Sequence, residues 1–209
     1  MNKHVPDTLH IHSQYEEMMS TAKRRDDMKV IPLFMDGAAI LEPKVYGDHR
    51  GYFMESYNEQ VLHENGIQHV FIQDNQSLSA EAGVLRGLHY QLHPKAQTKL
   101  VRVISGAIYD VIVDVRTSSP TFGQWKSVIL SEYNQRQLLV PQGFAHGFCT
   151  LVPHSQVTYK VDAYYSPGHD RGILWNDPTL AIDWPVTKPI LSEKDQKHPL
   201  LKDAELNFD

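Results

Sequence analysis

The chain has a single cysteine, Cys149, which excludes an intramolecular disulfide framework and any zinc site built on several thiolates. Long apolar runs are missing too, and none approaches the roughly 18 residues of a membrane-spanning helix. Residues 1–28 contain no apolar h-region, so no secretory signal is read there. A reducing, cytoplasmic setting with no membrane partner is therefore expected. Excess positive charge is also absent. Lys and Arg number 20 against 25 Asp and Glu, for a net charge of −5 and a pI near 6.2. That balance excludes a generally basic nucleic-acid binder while leaving room for a local basic pocket. Neither GxGxxG nor GxxxxGK[ST] occurs, which removes support for a dinucleotide fold or a P-loop. There is no internal repeat and no low-complexity tract.

What is present fits one domain. At 209 residues and 41% hydrophobic content, the chain can bury a full core without staples. Residues 1–28 are polar and mixed in charge. They read as an extension that is mobile or docks on a partner, with a short helix available over Tyr15 to Arg25. Residues 29–209 form the compact domain. They consist of short apolar or alternating runs separated by turn residues, among them Lys29–Met35, Ala38–Val45, Leu85–Leu92, Gln137–Val140 and Phe144–Leu151. Many short strands at close spacing, without intervening helices of 10–15 residues, predict an all-β sandwich or barrel. Short helices are expected at Asn58–Asn65 and, as a tail, at Ser192–Lys197.

Twelve histidines raise the prior on proton or metal chemistry. In KLVRVISGAIYDVIVDVR, Ser105-Gly106 separates two β-rich runs and predicts a hairpin. In that register Val103 pairs with Ile108 and Val101 with Asp110, and Lys99 and Asp110 become diagonal neighbours on one apolar face. Such a pair is either a structural ion pair or the lining of a pocket. His89 and His93, four apart, share a face if both lie on one strand. They are either satisfied core histidines or two ligands of a metal that lacks a recognisable third. Tyr159 alternates with Val157 and Val161 on the apolar side of QVTYKVDAYY, a core position by spacing alone.

In order along the chain, LEPKVYGDHRGYFMESYN, FIQDNQS, VLRGLHYQ, TKLVRVISGAIYDVIVDVR, SPTFGQW, RQLLVPQGFAHGFCTL, YKVDAYYSP, GILWNDPTLAIDWP and ILSEKD resemble the dTDP-4-dehydrorhamnose 3,5-epimerase (RmlC-like) family. The stretches are collinear from about Leu41 to Asp195. The resemblance implies an all-β cupin-type jelly roll of two antiparallel sheets with a few short helices. It also implies cofactor-independent epimerisation of a dTDP-4-keto-6-deoxyhexose at C3 and C5, both α to the C4 ketone, without redox cofactor or metal. By the same resemblance His89 is the base, Asp195 its orienting carboxylate, Tyr159 the opposing acid and Lys99 the cation near the keto oxygen. Arg50, Glu55, Gln73, Asp74, Asn75, Arg86, Asp110, His146 and Lys194 match nucleotide-sugar contacts. Asp170 stands where a glutamate-containing segment is common, one methylene shorter in reach. Strict alternation puts Arg86 and His89 on opposite faces, so a bulge at Gly87 is expected if both reach one pocket. The resemblance further implies a homodimer in which an N-terminal strand pairs with the neighbouring subunit's sheet, with Arg50 and Glu55 serving the partner's site. The alternatives are an epimerase acting at one carbon, a ketoisomerase, a catalytically silent sugar-binding jelly roll, and a metal-dependent cupin enzyme.

Overall fold

The computed structural model describes residues 27–209. The polar extension, with the helix expected at Tyr15 to Arg25, falls outside the described residues except for its last two positions. The compact part begins with β1 (Met28–Pro32) and continues through β2 (Ala39–Pro43), β3 (Tyr46–Asp48), β4 (Gly51–Phe53), α1 (Glu59–Glu64) and β5 (Gln73–Ser79). Next come β6 (Leu85–Gln91), β7 (Lys99–Ser105), β8 (Ala107–Asp114) and β9 (Trp125–Ser131). The last strands are β10 (Gln137–Val140), β11 (Phe144–Thr150), β12 (Ser155–Val161) and β13 (Asp170–Gly172). A six-stranded sheet of order β1-β2-β10-β7-β12-β5 faces a five-stranded sheet of order β13-β6-β11-β8-β9, and β3 and β4 form a separate hairpin. The strand ladders are antiparallel throughout. This is the expected jelly-roll architecture.

Alternation on each strand sorts the apolar side chains into three layers. Between the sheets lie Val101, Val103, Ile108, Ile112, Leu138 and Phe148. The outer face of the five-stranded sheet is covered by the C-terminal segment, where Ile173, Trp184, Leu201 and Phe208 pack on Leu88 and Val111. On the outer face of the six-stranded sheet, α1 lays Val61 and Leu62 over Leu41, Leu100 and Leu139. The helix starts where Asn58 caps it, the side chain accepting from Val61 N at 3.2 Å, and it ends before Gly66 as expected.

Two expectations about local structure are overturned. The strands flanking Ser105-Gly106 do not form a hairpin: β7 pairs with β10 and β12, while β8 pairs with β11 and β9. The chain instead turns a corner from one sheet to the other at Gly106. This residue has φ +83, and a Cβ there would lie 2.5 Å from Ser155 Oγ. The positive φ, with Ser155 Oγ that close and its backbone Cα at 3.0 Å, leaves room only for glycine. The tail helix expected at Ser192–Lys197 is a pair of turns. Ser192 Oγ accepts from Asp195 N at 3.1 Å, so its side chain takes up a backbone donor at the start of the segment. The segment then stops at His198-Pro199, where proline cannot continue a helix.

Candidate active site

β6 lies between β13 and β11 in the five-stranded sheet and carries His89. Its pairing with β11 runs Leu85↔Cys149, Arg86↔Phe148, then His89↔His146, so the register slips between Arg86 and His89. The extra residue lies at Gly87-Leu88, where a bulge was expected. Gly87 has φ +140, and a Cβ on it would approach Gly147 Cα to 2.5 Å. The bulge turns both Arg86 and His89 toward the space between the sheets while Leu85 and Leu88 stay in the outer layer.

His89 Nε2 meets Asp195 Oδ1 at 2.6 Å. Asp195 comes from the turns after β13 and is buried. Burial by itself would raise its carboxyl pKa, but the nearby His198 and His89 rings and the contact with Ser192 hold it well below the usual carboxylate range. His89 is lowered from the ordinary imidazole value. Desolvation favours the neutral ring more than Asp195 favours the charged one, and Lys99 and Lys194 push the same way as burial. The pair is thus a neutral imidazole oriented by a charged carboxylate, and Nδ1 is the nitrogen left to accept a proton.

Lys99 enters from the opposite sheet. Its Nζ donates to the carbonyl of His89 at 3.2 Å. Burial pushes it down to about 8 against the pull of Asp110 and Asp170. Lys99 and Asp110 therefore do interact, but from two sheets rather than as diagonal neighbours in a hairpin. Tyr159, paired with Val101 on β7 and with Asn75 on β5, stands on the same inner face as Lys99. Burial raises its hydroxyl pKa, with Arg86 opposing and Asp170 reinforcing the shift. Gln73 and Asn75 share this face, joined by a 2.9 Å hydrogen bond. Arg86 spans the sheets to Ser79 Oγ and the Leu78 carbonyl, both at 3.4 Å. On β13, Asp170 accepts from the Tyr165 hydroxyl at 3.0 Å and pairs with Lys194.

A second histidine–carboxylate pair lies behind the first. His146 Nε2 and Asp110 Oδ1 are 2.6 Å apart. Asp110 is fully buried, so it anchors His146 from beneath instead of reaching a sugar, contrary to its expected role as a contact.

Three more expected contacts lie elsewhere. Asp74 occupies the outward position of β5, where Lys160 Nζ binds it at 2.8 and 3.1 Å. Period-two alternation makes it impossible for Gln73, Asp74 and Asn75 all to face one pocket. Arg50 is at the end of the β3–β4 hairpin, turned onto Asp48. Glu55 accepts from Asn58 Nδ2 at 3.2 Å, beside the helix cap. His93 does not share a face with His89, because β6 ends at Gln91. Its ring packs edge-on against Phe208 at 5.1 Å. The sequence reading passed over His198, which packs edge-on to His89 with centroids 5.5 Å apart. Its spacing of three from Asp195, within a turn that ends at proline, was the available signal.

The geometry offers an imidazole on one sheet and, on the facing sheet, a phenol and an ammonium that reaches the imidazole's own backbone, an arrangement that can move a proton at a carbon acidified by a carbonyl. Comparison with known proteins gives the same direction. The family model for dTDP-4-dehydrorhamnose 3,5-epimerase matches residues 32–203. A relative of that name from Shigella flexneri is 52% identical over 179 residues, covering 85% of this chain and 98% of its own. A crystal structure of the Bacillus anthracis enzyme with TDP and PPi bound is 65% identical, with a TM-score of 0.82 over 83% of this chain and 99% of that one. The Legionella pneumophila structure, solved in complex with dTDP-4-keto-L-rhamnose, is 48% identical at a TM-score of 0.80, covering 84% and 93%. With the family model spanning nearly all of the described jelly roll, the chain belongs to the dTDP-4-dehydrorhamnose 3,5-epimerase family.

Proposed function

We propose that the chain epimerises dTDP-4-keto-6-deoxy-D-glucose at C3 and C5, giving dTDP-4-keto-L-rhamnose. The reading rests on one observation above the others. The neutral, Asp195-oriented His89 and the phenol of Tyr159 belong to opposite sheets, and Lys99, on the sheet of Tyr159, reaches across to the His89 carbonyl. His89 Nδ1 removes the proton α to the C4 ketone. The Lys99 ammonium stabilises the enolate oxygen, and Tyr159 returns a proton to the other face. Arg86, His146 and Lys194 supply the positive charge and donors that a diphosphate needs in a chain of net charge −5. Gln73, Asn75 and Asp170 offer polar contacts at the rim. Incubation with the substrate in D₂O, read by NMR, tests the reading: two new C–D bonds, at C3 and C5, are expected. Deuterium at a single carbon would make the chain a mono-epimerase, and no exchange would leave only a sugar-binding jelly roll.

The same reading includes a cytoplasmic homodimer with an N-terminal strand paired to the neighbouring sheet. Its support is an open edge and an unspent surface. Among the described residues β1 ends the six-stranded sheet, and an unpaired strand edge favours pairing with another chain. The β3–β4 hairpin exposes Tyr46, Tyr52 and Phe53 at 49, 58 and 67%. Burying that hairpin on a second copy would carry Arg50, with Glu55 just beyond it, toward the partner's pocket.

A further inference from the structure

His198 has no part in the reaction just described, yet it is placed with care. Its side chain is 9% exposed, and its ring fills the space left by the missing side chain of Gly172, where a Cβ would come within 2.5 Å of Cε1 and Nε2. The next residue but one is at hand to hold the turn, since the Pro199 carbonyl accepts from Leu174 N at 2.8 Å. His198 Nε2 points at Asp195 Oδ1 from 3.6 Å, too far for a hydrogen bond, and it has no other partner among the described residues. A buried ring nitrogen without a partner costs free energy that a ligand would recover. One donor atom each from His89, Asp195 and His198 lies within 4.8 Å of the others.

We propose that His89 Nε2, the Asp195 carboxylate and His198 Nε2 form a site for a borderline divalent transition metal, Zn²⁺ above all, whose occupancy switches the base off. Two imidazoles and a carboxylate are the donor set that zinc and its neighbours prefer over magnesium or calcium. Three donors held about 2.0–2.1 Å from one zinc stand roughly 3.3 Å apart. That separation lies between the 2.6 Å of the His89–Asp195 contact and the 3.6 Å of the His198–Asp195 contact. Opening the first, closing the second and drawing the two histidine donors, which lie within 4.8 Å of each other, to the same spacing admits the ion, with solvent in the fourth position. Lys99 and Lys194 face His89 and weaken the site, while Asp195 itself, and Asp170 paired with Lys194, offset them.

The consequence for the base follows from the valence of the ring. Neutral imidazole has one N–H and one lone pair. When Asp195 accepts the Nε2 proton, the lone pair is on Nδ1, facing the substrate. When zinc takes the Nε2 lone pair, the single hydrogen moves to Nδ1, which can no longer accept a proton. No net proton is released and no redox change occurs. The metal acts as an inhibitor, so chelation leaves activity intact or raises it.

The binding half of this proposal is independent of the reaction, and the inhibition half rests on the proposed function. EDTA-treated, dialysed full-length protein is titrated with Zn²⁺ against a chromophoric chelator, and with Co²⁺ to read d–d absorption. His198→Gln, Asp195→Asn and His89→Asn are titrated alongside, each checked for folding by its thermal melt. Expected is one site per chain whose affinity falls at least tenfold in every folded variant. Zinc held elsewhere, by His10 and His12 for example, would be common to all. Fractional inhibition of C3 and C5 deuterium exchange by Zn²⁺ is then compared between wild type and His198→Gln, so that any change in basal rate cancels. Inhibition that tracks site occupancy and weakens at least tenfold in His198→Gln supports the switch. Wild-type affinity in all folded variants, or no site in the wild type, overturns the proposal. A His198-dependent site that leaves exchange untouched overturns the switch. A His198-dependent site in a protein with no exchange at all sinks the proposed function and the switch while the site stands.

Discussion

In the proposed reaction, Tyr159 and His89 take separate roles that single substitutions can distinguish. The Tyr159 hydroxyl has no hydrogen-bond partner among the described residues, and its ring packs beside the core between the sheets. Tyr159→Phe should therefore stay folded within about 1 kcal/mol of wild type. With His89 intact, the enolate forms and the same face is reprotonated from solvent, so deuterium exchange without inversion is expected by NMR. His89→Asn should show neither. Full inversion by Tyr159→Phe would make it a packing tyrosine. Asp195→Asn should keep the fold and lose on the order of several kcal/mol of transition-state stabilisation at most, as orienting carboxylates do. In the same proposal Lys99 sets the alkaline limit, since only its cation would stabilise the enolate oxygen, and burial pushes its pKa down to about 8. kcat/KM should then fall with rising pH from about 8, and the acid limb should lie below the ordinary histidine value of about 6.5, because His89 is lowered. An alkaline limb near the free-lysine value would remove Lys99 from this role. Family resemblance identified these four residues. Alternation along β5 was enough to rule Asp74 out of the pocket. His198 belongs to no strand pattern, and only folding brings it to His89.

At the level of elements, two glycines decide which side chains meet. The bulge at Gly87 lets residues three apart on β6 face one pocket. Gly87→Ala would force a Cβ to 2.5 Å from Gly147 Cα, a backbone contact that only strand separation can relieve. A loss of about 2–4 kcal/mol in urea denaturation is expected, with His89 displaced and activity reduced even where the variant remains folded. Unchanged stability would mean the bulge is not constrained by Gly147. The bulge was legible from sequence because two polar residues of opposite parity had to share a face. The corner at Gly106 was not. A Ser-Gly between two β-rich runs has the same local pattern whether the strands pair or part. The choice depends on β10, β12, β9 and β11, which take the available edges of β7 and β8. The turns at Ser192–Lys197 were hidden for a similar reason, since their composition suits a helix and a side-chain hydrogen bond displaces it.

Across the whole molecule, several buried carboxylates are held in the charged form. Desolvation opposes charge on Asp114, but Arg116, Ser119 and Thr121 overcome it. His69 and Thr98 do the same for Asp162, and the backbone donors of Leu201, Leu180 and Thr179 for Asp177. Each has a folded pKa below its unfolded value, so its contribution is complete above about 3.9 and is lost as pH falls through the folded value. Thermal melts should show stability level near neutrality and falling steeply below about pH 4. A flat profile down to pH 3 would show that these ties add little. The proposed dimer makes a second test at this scale. If Arg50 serves the partner's pocket, co-expressed Arg50→Ala and His89→Asn chains, each inactive alone, should recover about a quarter of wild-type activity. Random pairing makes half the dimers mixed, with one intact site in each. No recovery would place Arg50 outside the site.

The sequence by itself determined the all-β class, the strand runs, the capped helix and the need for a bulge, because alternation, capping and glycine placement are local properties with short-range causes. Family resemblance in the sequence also named the proposed base, acid and cation. Which strands pair, and hence that Lys99 and Asp110 meet across two sheets, was decided only by the tertiary structure. So were the burial of Asp110 under His146 and the approach of His198 to His89. Each depends on which surfaces close over one another when the sheets pack.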